Sequence, residues 1–258
     1  MEFTYFTTLV REEVERRTGD CYKVRLNDVT KNNGVVLRGL TVTQDDSNIS
    51  PTIYLNNYYE EYMKGRATLL NVVNDVMDTY HRNKVNQSVD MRYFLDYERV
   101  KDRIVYKLIN TEKNKELLED LPHIEFLDLS IVFQCMVAQE DIGTASILIH
   151  NVHLKLWDVS VEKLYQAAKE NTQRLQKYEI KSMSEVLCEI TRAENPEEFA
   201  EYREEAFSDN VRMYVLSNKR RVEGAACMLY PNLVRDFAEA VGSSFYIIPS
   251  SVHELLLL

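Results

Sequence analysis

Five histidines, His81, His123, His150, His153 and His253, carry most of the acid–base chemistry this chain could run near neutral pH. Two of them stand in His150-Asn151-Val152-His153, directly after the apolar run 144–149. That is the C-terminal end of an expected strand, where α/β folds often place their sites. On a helix, residues i and i+3 share a face, and His253-Glu254 offers two further ligands. His150, His153, His253 and Glu254 together could hold zinc and activate a water for metal-assisted hydrolysis. No H-E-x-x-H occurs, and histidines that merely cap a turn or a helix would be spelled the same way. Asn151 would then belong to a polar pocket at the strand ends.

Ser250, Ser251 and His253 invite a second chemistry. On a strand, Ser251 and His253 point to one face and Glu254 to the other, whereas the base that activates a serine usually arrives from another element. After Pro249 the serines also read as a turn or an N-cap. Cys135 falls on the inward side of a period-two run, where a thiol behaves as a small inert hydrophobe. No residue is therefore assigned a catalytic role, no cofactor is expected, and the metal set stays a rival reading. Gly34 and Gly39 have P-loop spacing, but Leu40-Thr41 replaces the Lys-Ser/Thr that holds phosphate and magnesium. Neither G-x-G-x-x-G nor G-x-S-x-G occurs. Seven glycines, where average usage gives about eighteen, leave little for phosphate loops.

Two segments read better as contact surfaces. Tyr54, Tyr58, Tyr59 and Tyr62 cluster with Asn48, Asn56 and Asn57, combining rigid rings with hydrogen-bonding tips; a half-buried helix edge would look alike. Between Glu189 and Asp209 stand eight acidic residues, among them Glu197, Glu198, Glu201 and Glu205, against Arg192 and Arg203. This segment carries −6 of the net −10, so the rest of the chain is nearly balanced. It reads either as a solvated helical face or as an acidic docking surface. Net acidity argues against direct nucleic-acid binding, which needs clustered Lys and Arg.

The elements that must position these residues are spelled by periodicity. Phe3, Phe6, Val10 and Val14 mark a helix over 2–18, stopped at Gly19. Period-two runs at 21–29 and 35–43 flank Asn32-Asn33-Gly34, which predicts a β-hairpin. An extended piece, Thr52 to Leu55, precedes an amphipathic helix over 67–82. Strands are expected at 103–109, at 127–137 with one buried face, and centrally at 144–149. Ser160 caps a helix carrying Val161, Leu164, Tyr165 and Ala168. Asn195-Pro196-Glu197-Glu198 starts the acidic helix. Strands at 213–216 and 225–229, a helix from Pro231 to Gly242 and a strand at 245–248 complete the series. The fold expected is α+β: a mixed, largely antiparallel sheet with an N-terminal β-hairpin and packed helices. A single domain over 1–258 is expected, with a sub-boundary near 192–210.

The four cysteines form no C-x-x-C pair, the N-terminus has no basic and apolar leader, and no run reaches 18 apolar residues. Those features place the chain in the cytoplasm, with no membrane contact. Leu255 to Leu258 are an unusual ending that needs burial, and they point to a chain that stops inside or just after a structural element.

Several strings together resemble a known family: Lys31 to Thr41 (KNNGVVLRGLT), Ser50 to Tyr59 (SPTIYLNNYY), Val100 to Asn110, Ile147 to Leu154 and Ser243 to Leu258. The family is an uncharacterised bacterial domain of unknown function, found in gut-type anaerobes and often encoded near mobile elements. The resemblance covers essentially the whole chain and implies a cytoplasmic bacterial protein. In family members the last apolar run continues into a proline and a further segment. No activity or catalytic residue carries over. The reading that follows is a non-catalytic interaction or accessory protein with a protein partner, linked to mobile-element or counter-defence biology. In that role the acidic segment would imitate a nucleic-acid backbone.

Overall fold

The computed structural model describes residues 1–44, 50–84, 91–139, 143–194 and 213–258. The chain divides into two compact units. The first comprises residues 1–95, 113–117 and 138–145; the second comprises 96–112, 118–137 and 146–258. The class is α+β with antiparallel sheets, as the periodicities predict.

In the first unit α1 (Phe3–Thr18) ends on Gly19 at φ 76°. Strands β1 (Tyr22–Thr30) and β2 (Val36–Gln44) pair from Tyr22↔Gln44 to Thr30↔Val36. The chain turns between them through a 3₁₀ segment, Asn32–Gly34, in which Asn33 takes φ 63°. Asn33 N–H donates to Asn114 Oδ1 at 2.7 Å, which holds this left-handed residue in place. Strand β3 (Thr52–Tyr54) pairs with β2. Helices α2 (Asn56–Met63) and α3 (Leu69–Asn83) follow, and Thr68 caps α3 by accepting from Asn71 N–H. Phe6, Val10, Val14, Leu40, Leu55, Val72, Val73 and Val76 are fully buried and form this unit's core.

The second unit holds two sheets. In the first, β6 (Leu129–Gln139) lies between β4 (Ile104–Asn110) on one side and β5 (His123–Phe126) on the other, and β7 (Gly143–Leu148) also pairs with it. The short helix α4 (Tyr97–Val100) precedes β4, while the short helix α5 (Lys115–Leu118) falls almost wholly in the first unit. Two expectations change here. The run 144–149 is not central, since the central strand is β6. Strand β6 is also buried on both faces: Ser130, Val132 and Gln134 are as inaccessible as Ile131, Phe133 and Cys135. The two polar members satisfy themselves on other side chains, Ser130 on Thr111 and Gln134 on Glu223 and Ser146, as burial requires.

Helix α6 (Asn151–Trp157) and the longer α7 (Val161–Leu175) follow; Ser160 caps α7 by accepting from Lys163 N–H. Thr172 Oγ1 accepts from Tyr106 N–H, and Asn171 donates to Lys101 O and Ile104 O, so α7 covers the open edge of β4. The second sheet has the order β10-β11-β9-β8, built from β8 (Tyr178–Ser182), β9 (Tyr214–Asn218), β10 (Ile247–Pro249) and β11 (Leu255–Leu257), with helices α8 (Met183–Glu194) and α9 (Leu233–Val241). The terminal leucines are thus an inner strand, with Leu255 and Leu257 buried.

The segment 225–229 is not a strand. Gly224–Leu229 is a 3₁₀ helix entered through Glu223 at φ 57°. Ala225, Ala226 and Cys227 are all buried, and a short apolar run buried all round has no periodicity to separate the two conformations. The acidic helix expected from Asn195 lies outside the described residues.

Candidate functional site

A cavity lies in the second unit, beside the end of α7. It has a volume of about 420 Å³ and is lined by residues of α7, β8 and α9 and their connections. Its walls follow from local chemistry. The last carbonyls of a helix have no partner within the helix; in α7 they are met by Tyr230, whose buried Oη donates to Gln176 O at 2.6 Å and Thr172 O at 3.2 Å. This fixes the Tyr230 ring, and burial raises its phenol pKa so that it stays a neutral donor. Tyr178 stands edge-on to it, with centroids 6.5 Å apart and planes at 76°. Helix α9 contributes Leu233, Asp236, Phe237 and Ala240 at three- and four-residue spacing. Phe237 is held edge-on by Tyr214 and Phe245, each with centroids 5.1 Å away. The result is an aromatic floor with Lys177 and Asp236 among its lining. A concave site that combines aromatic and aliphatic side chains with convergent polar groups has the make-up of a binding pocket.

The histidine motif sits elsewhere in this unit and serves the start of α6. His150 is the N-cap residue, its Nδ1 is 2.7 Å from Asp120 Oδ2, and its backbone N–H donates to His153 Nδ1 at 2.9 Å. Asn151 donates to Glu119 O. His153 stacks on Trp157 with centroids 5.7 Å apart. His253 is held by different partners: its Nδ1 accepts Glu223 N–H at 3.0 Å, its N–H donates to Ser251 Oγ and its carbonyl accepts from Ser217 Oγ. Glu254 O accepts Ser251 N–H, closing the same bend. Glu254 also borders a void of only 20 Å³. Among the described residues no three His, Cys, Asp or Glu side chains are arranged to hold a metal ion. The structure does not assemble His150, His153, His253 and Glu254 into a metal cluster.

Because His153 Nδ1 accepts a hydrogen bond, it must be unprotonated. Burial lowers the pKa of His153 from the ordinary 6.5, His150 beside it lowers it further, and Asp120 opposes them. A depressed histidine favours the neutral folded state. Its stabilisation is present above pH 6.5 and fades as pH falls from there through the folded-state value. Trp157 is the sole tryptophan, so its emission is expected to titrate with a midpoint below 6.5, and His153→Asn should abolish that titration. A midpoint at or above 6.5 would contradict this arrangement.

The tyrosine group lies in the first unit and points largely inward. Tyr59 packs on Phe3 and Phe6, Tyr62 on Phe6, and Tyr58 Oη is 3.3 Å from Thr79 Oγ1. Lys31 Nζ lies 4.5 Å above the Tyr54 ring, and Asn57 is exposed. Glu197, Glu198, Glu201 and Glu205 lie outside the described residues. Glu189, at the start of the acidic segment, is engaged by Lys181 and Arg221.

Sequence reasoning missed two features. One is the cavity, because its edge strand β8 offers only Tyr178 and Ile180 as a period-two signal. The other is a polar joint between the two sheets. Glu223 accepts from Lys107 Nζ at 3.1 Å and from Gln134 Nε2, and Ser146 Oγ donates to Gln134 Oε1. Lys107 and Glu223 side chains are 23% and 17% exposed, so each compensates the other's loss of water. Cys135 and Cys227 are buried, and burial pushes both thiols up to about 11, far from a reactive thiolate.

These features define an α+β protein with an aromatic cavity at one sheet edge. Over residues 3–258 the chain matches, and belongs to, the family described as "Family of unknown function (DUF5688)". No curated protein and no solved structure matches it. Among the described residues no helix is long and apolar enough to cross a membrane.

Proposed function

We propose that the chain is a non-catalytic cytoplasmic binding protein whose partner is another protein, engaged at the cavity beside α7. The observation that supports this reading most is the contrast between the two kinds of site. The histidines and serine that could run chemistry are tied into caps and bends. The aromatic walls of the cavity are pinned from behind and present an open apolar floor. The net charge of −10 favours a protein over a nucleic-acid backbone as the partner. Tyr178 is 51% exposed, so its side chain can be removed with little effect on folding. Affinity capture from a native lysate is expected to retain a stoichiometric protein on the wild-type chain. Tyr178→Ala should reduce that recovery by about tenfold, the loss of one aromatic contact of roughly 1.4 kcal/mol. Recovery of no stoichiometric partner, or equal recovery on both chains, would overturn the proposal.

A further inference from the structure

The geometry points to an extended peptide segment as the occupant: we infer that a partner's segment adds as a strand to the outer edge of β8 and seats one large apolar side chain in the cavity. The inference deepens the binding reading above and rests on it. It begins with the hydrogen-bond parity of β8. The strand pairs antiparallel with β9, with Tyr178↔Asn218, Ile180↔Leu216 and Ser182↔Tyr214 in register. Just outside that register Lys219 N–H donates to Lys177 O at 2.9 Å, and Met183 N–H donates to Met213 O at 2.8 Å. Bonded pairs in an antiparallel ladder alternate. Residues 177, 179, 181 and 183 therefore bond to β9, while the N–H and C=O of Tyr178 and Ile180 point away from it. Strand β8 is the outermost of its sheet among the described residues, and no described residue bonds to the main chain of Tyr178 or Ile180 on that side.

The side chains repeat this two-residue alternation. Tyr178 and Ile180 line the cavity, whereas Glu179 and Lys181 face the other side and pair with each other at 3.2 Å. A strand laid along β8 would place every second side chain on the Tyr178–Ile180 face. One of those would fall between Tyr178, Tyr230 and Phe237. Main-chain bonds to an edge supply affinity, and a pocket for alternate side chains supplies selection, which is the logic of strand addition. A helix could use the cavity but would leave the outward N–H and C=O groups without partners, so the chemistry favours an extended segment.

The test uses a phage-displayed library of random peptides about ten residues long, selected on the full chain. The expected result is enrichment of peptides sharing a Phe, Tyr, Trp or Leu at one fixed position. Ile180→Pro removes one outward N–H and leaves the ladder to β9 intact, since proline is tolerated where the N–H faces away from the sheet. It should weaken an enriched peptide by about tenfold, the worth of one main-chain hydrogen bond. Tyr178→Ala should do the same through the wall of the cavity. Amide hydrogen exchange on the wild-type chain, saturated with that peptide, should show new protection at Tyr178 and Ile180, and this readout needs no variant to fold. Peptides that bind the cavity without that protection would overturn strand addition and leave the binding function standing. Recovery of no binder would overturn both. A wild-type dimer that Ile180→Pro dissociates would assign the edge to a second copy of this chain and overturn a foreign segment as occupant.

Discussion

Deleting Leu255 to Leu258 is expected to abolish the cooperative unfolding of the second unit, leaving a chain that is largely insoluble or binds dyes for exposed apolar surface. Strand β11 lies inside its sheet, paired with β9 through Leu255↔Leu216 and Leu257↔Tyr214 and with β10 through Ile247↔Leu257. Its loss breaks two ladders and leaves β10 without a neighbour. Leu258 closes the same edge through two main-chain bonds with Tyr246, at 2.7 and 3.0 Å. Leu255 and Leu257 are 0% and 2% exposed, so each buries about 1.5–3 kcal/mol of apolar transfer energy. Together with the broken ladders this reaches a large share of the roughly 5–15 kcal/mol that holds a domain together. The substitution series carries the signature of a strand. Leu255→Ala and Leu257→Ala should each cost about 2–5 kcal/mol in urea unfolding, while Leu256→Ala, only partly buried between them, should cost less than about 1.5 kcal/mol. Equal effects at all three positions would rule out the period-two arrangement.

The same leucines show what sequence can and cannot convey. Four consecutive apolar residues announce a need for burial, but a run without alternation does not say which neighbours will cover it. Those neighbours are β9 and β10; the sequence marks strands near both, at 213–216 and 245–248, but not which strand pairs with which. Elements with internal periodicity were legible. The β1–β2 hairpin follows from alternation around Asn32-Asn33-Gly34, and α3 and α7 follow from their apolar stripes and their Thr68 and Ser160 caps. Strand β8 was not legible, because Glu179, Lys181 and Ser182 outnumber Tyr178 and Ile180 and its stability comes from pairing with β9. The candidate site inherits that blindness. The cavity is assembled from residues 173–180 and 230–240, each segment ordinary alone. The histidines attracted attention by rarity and spacing, and their actual partners, Asp120 and the Glu223 backbone, lie about thirty residues away in sequence. In a strand with one buried face, polar Gln134 and Ser130 fall on the solvent side; the residues that satisfy them, Glu223 and Thr111, cannot be found from a strand pattern.

Gly224→Ala is expected to cost about 3 kcal/mol, at the upper end for overpacking. Turns, hairpins and helix stops are the usual reasons for a glycine. Gly224 has another reason. Its φ is outside the positive region that strains other residues, so conformation alone would admit alanine there. What excludes a side chain is proximity: a Cβ would fall within 3.0 Å of Ser217 Oγ, Asn218 N and His253 O. Two of these three are main-chain atoms, of β9 and of the bend before β11, and they cannot rotate away. Alanine must therefore push the 3₁₀ segment Gly224–Leu229 off the sheet. That movement would also pull Glu223 from Lys107 and Gln134 and loosen the joint between the two sheets. Ser217→Gly in the same chain removes only the side-chain clash, so the double variant should recover a minor part of the lost stability. Gly39 is the comparison, because the nearest atom to a Cβ there is the Thr52 methyl, 2.5 Å away on a side chain that can turn. Gly39→Ala should therefore lower the urea midpoint less than Gly224→Ala does. A Gly224→Ala chain that unfolds within about 0.5 kcal/mol of wild type would show that the 3₁₀ segment does not pack on β9 as closely as these distances require.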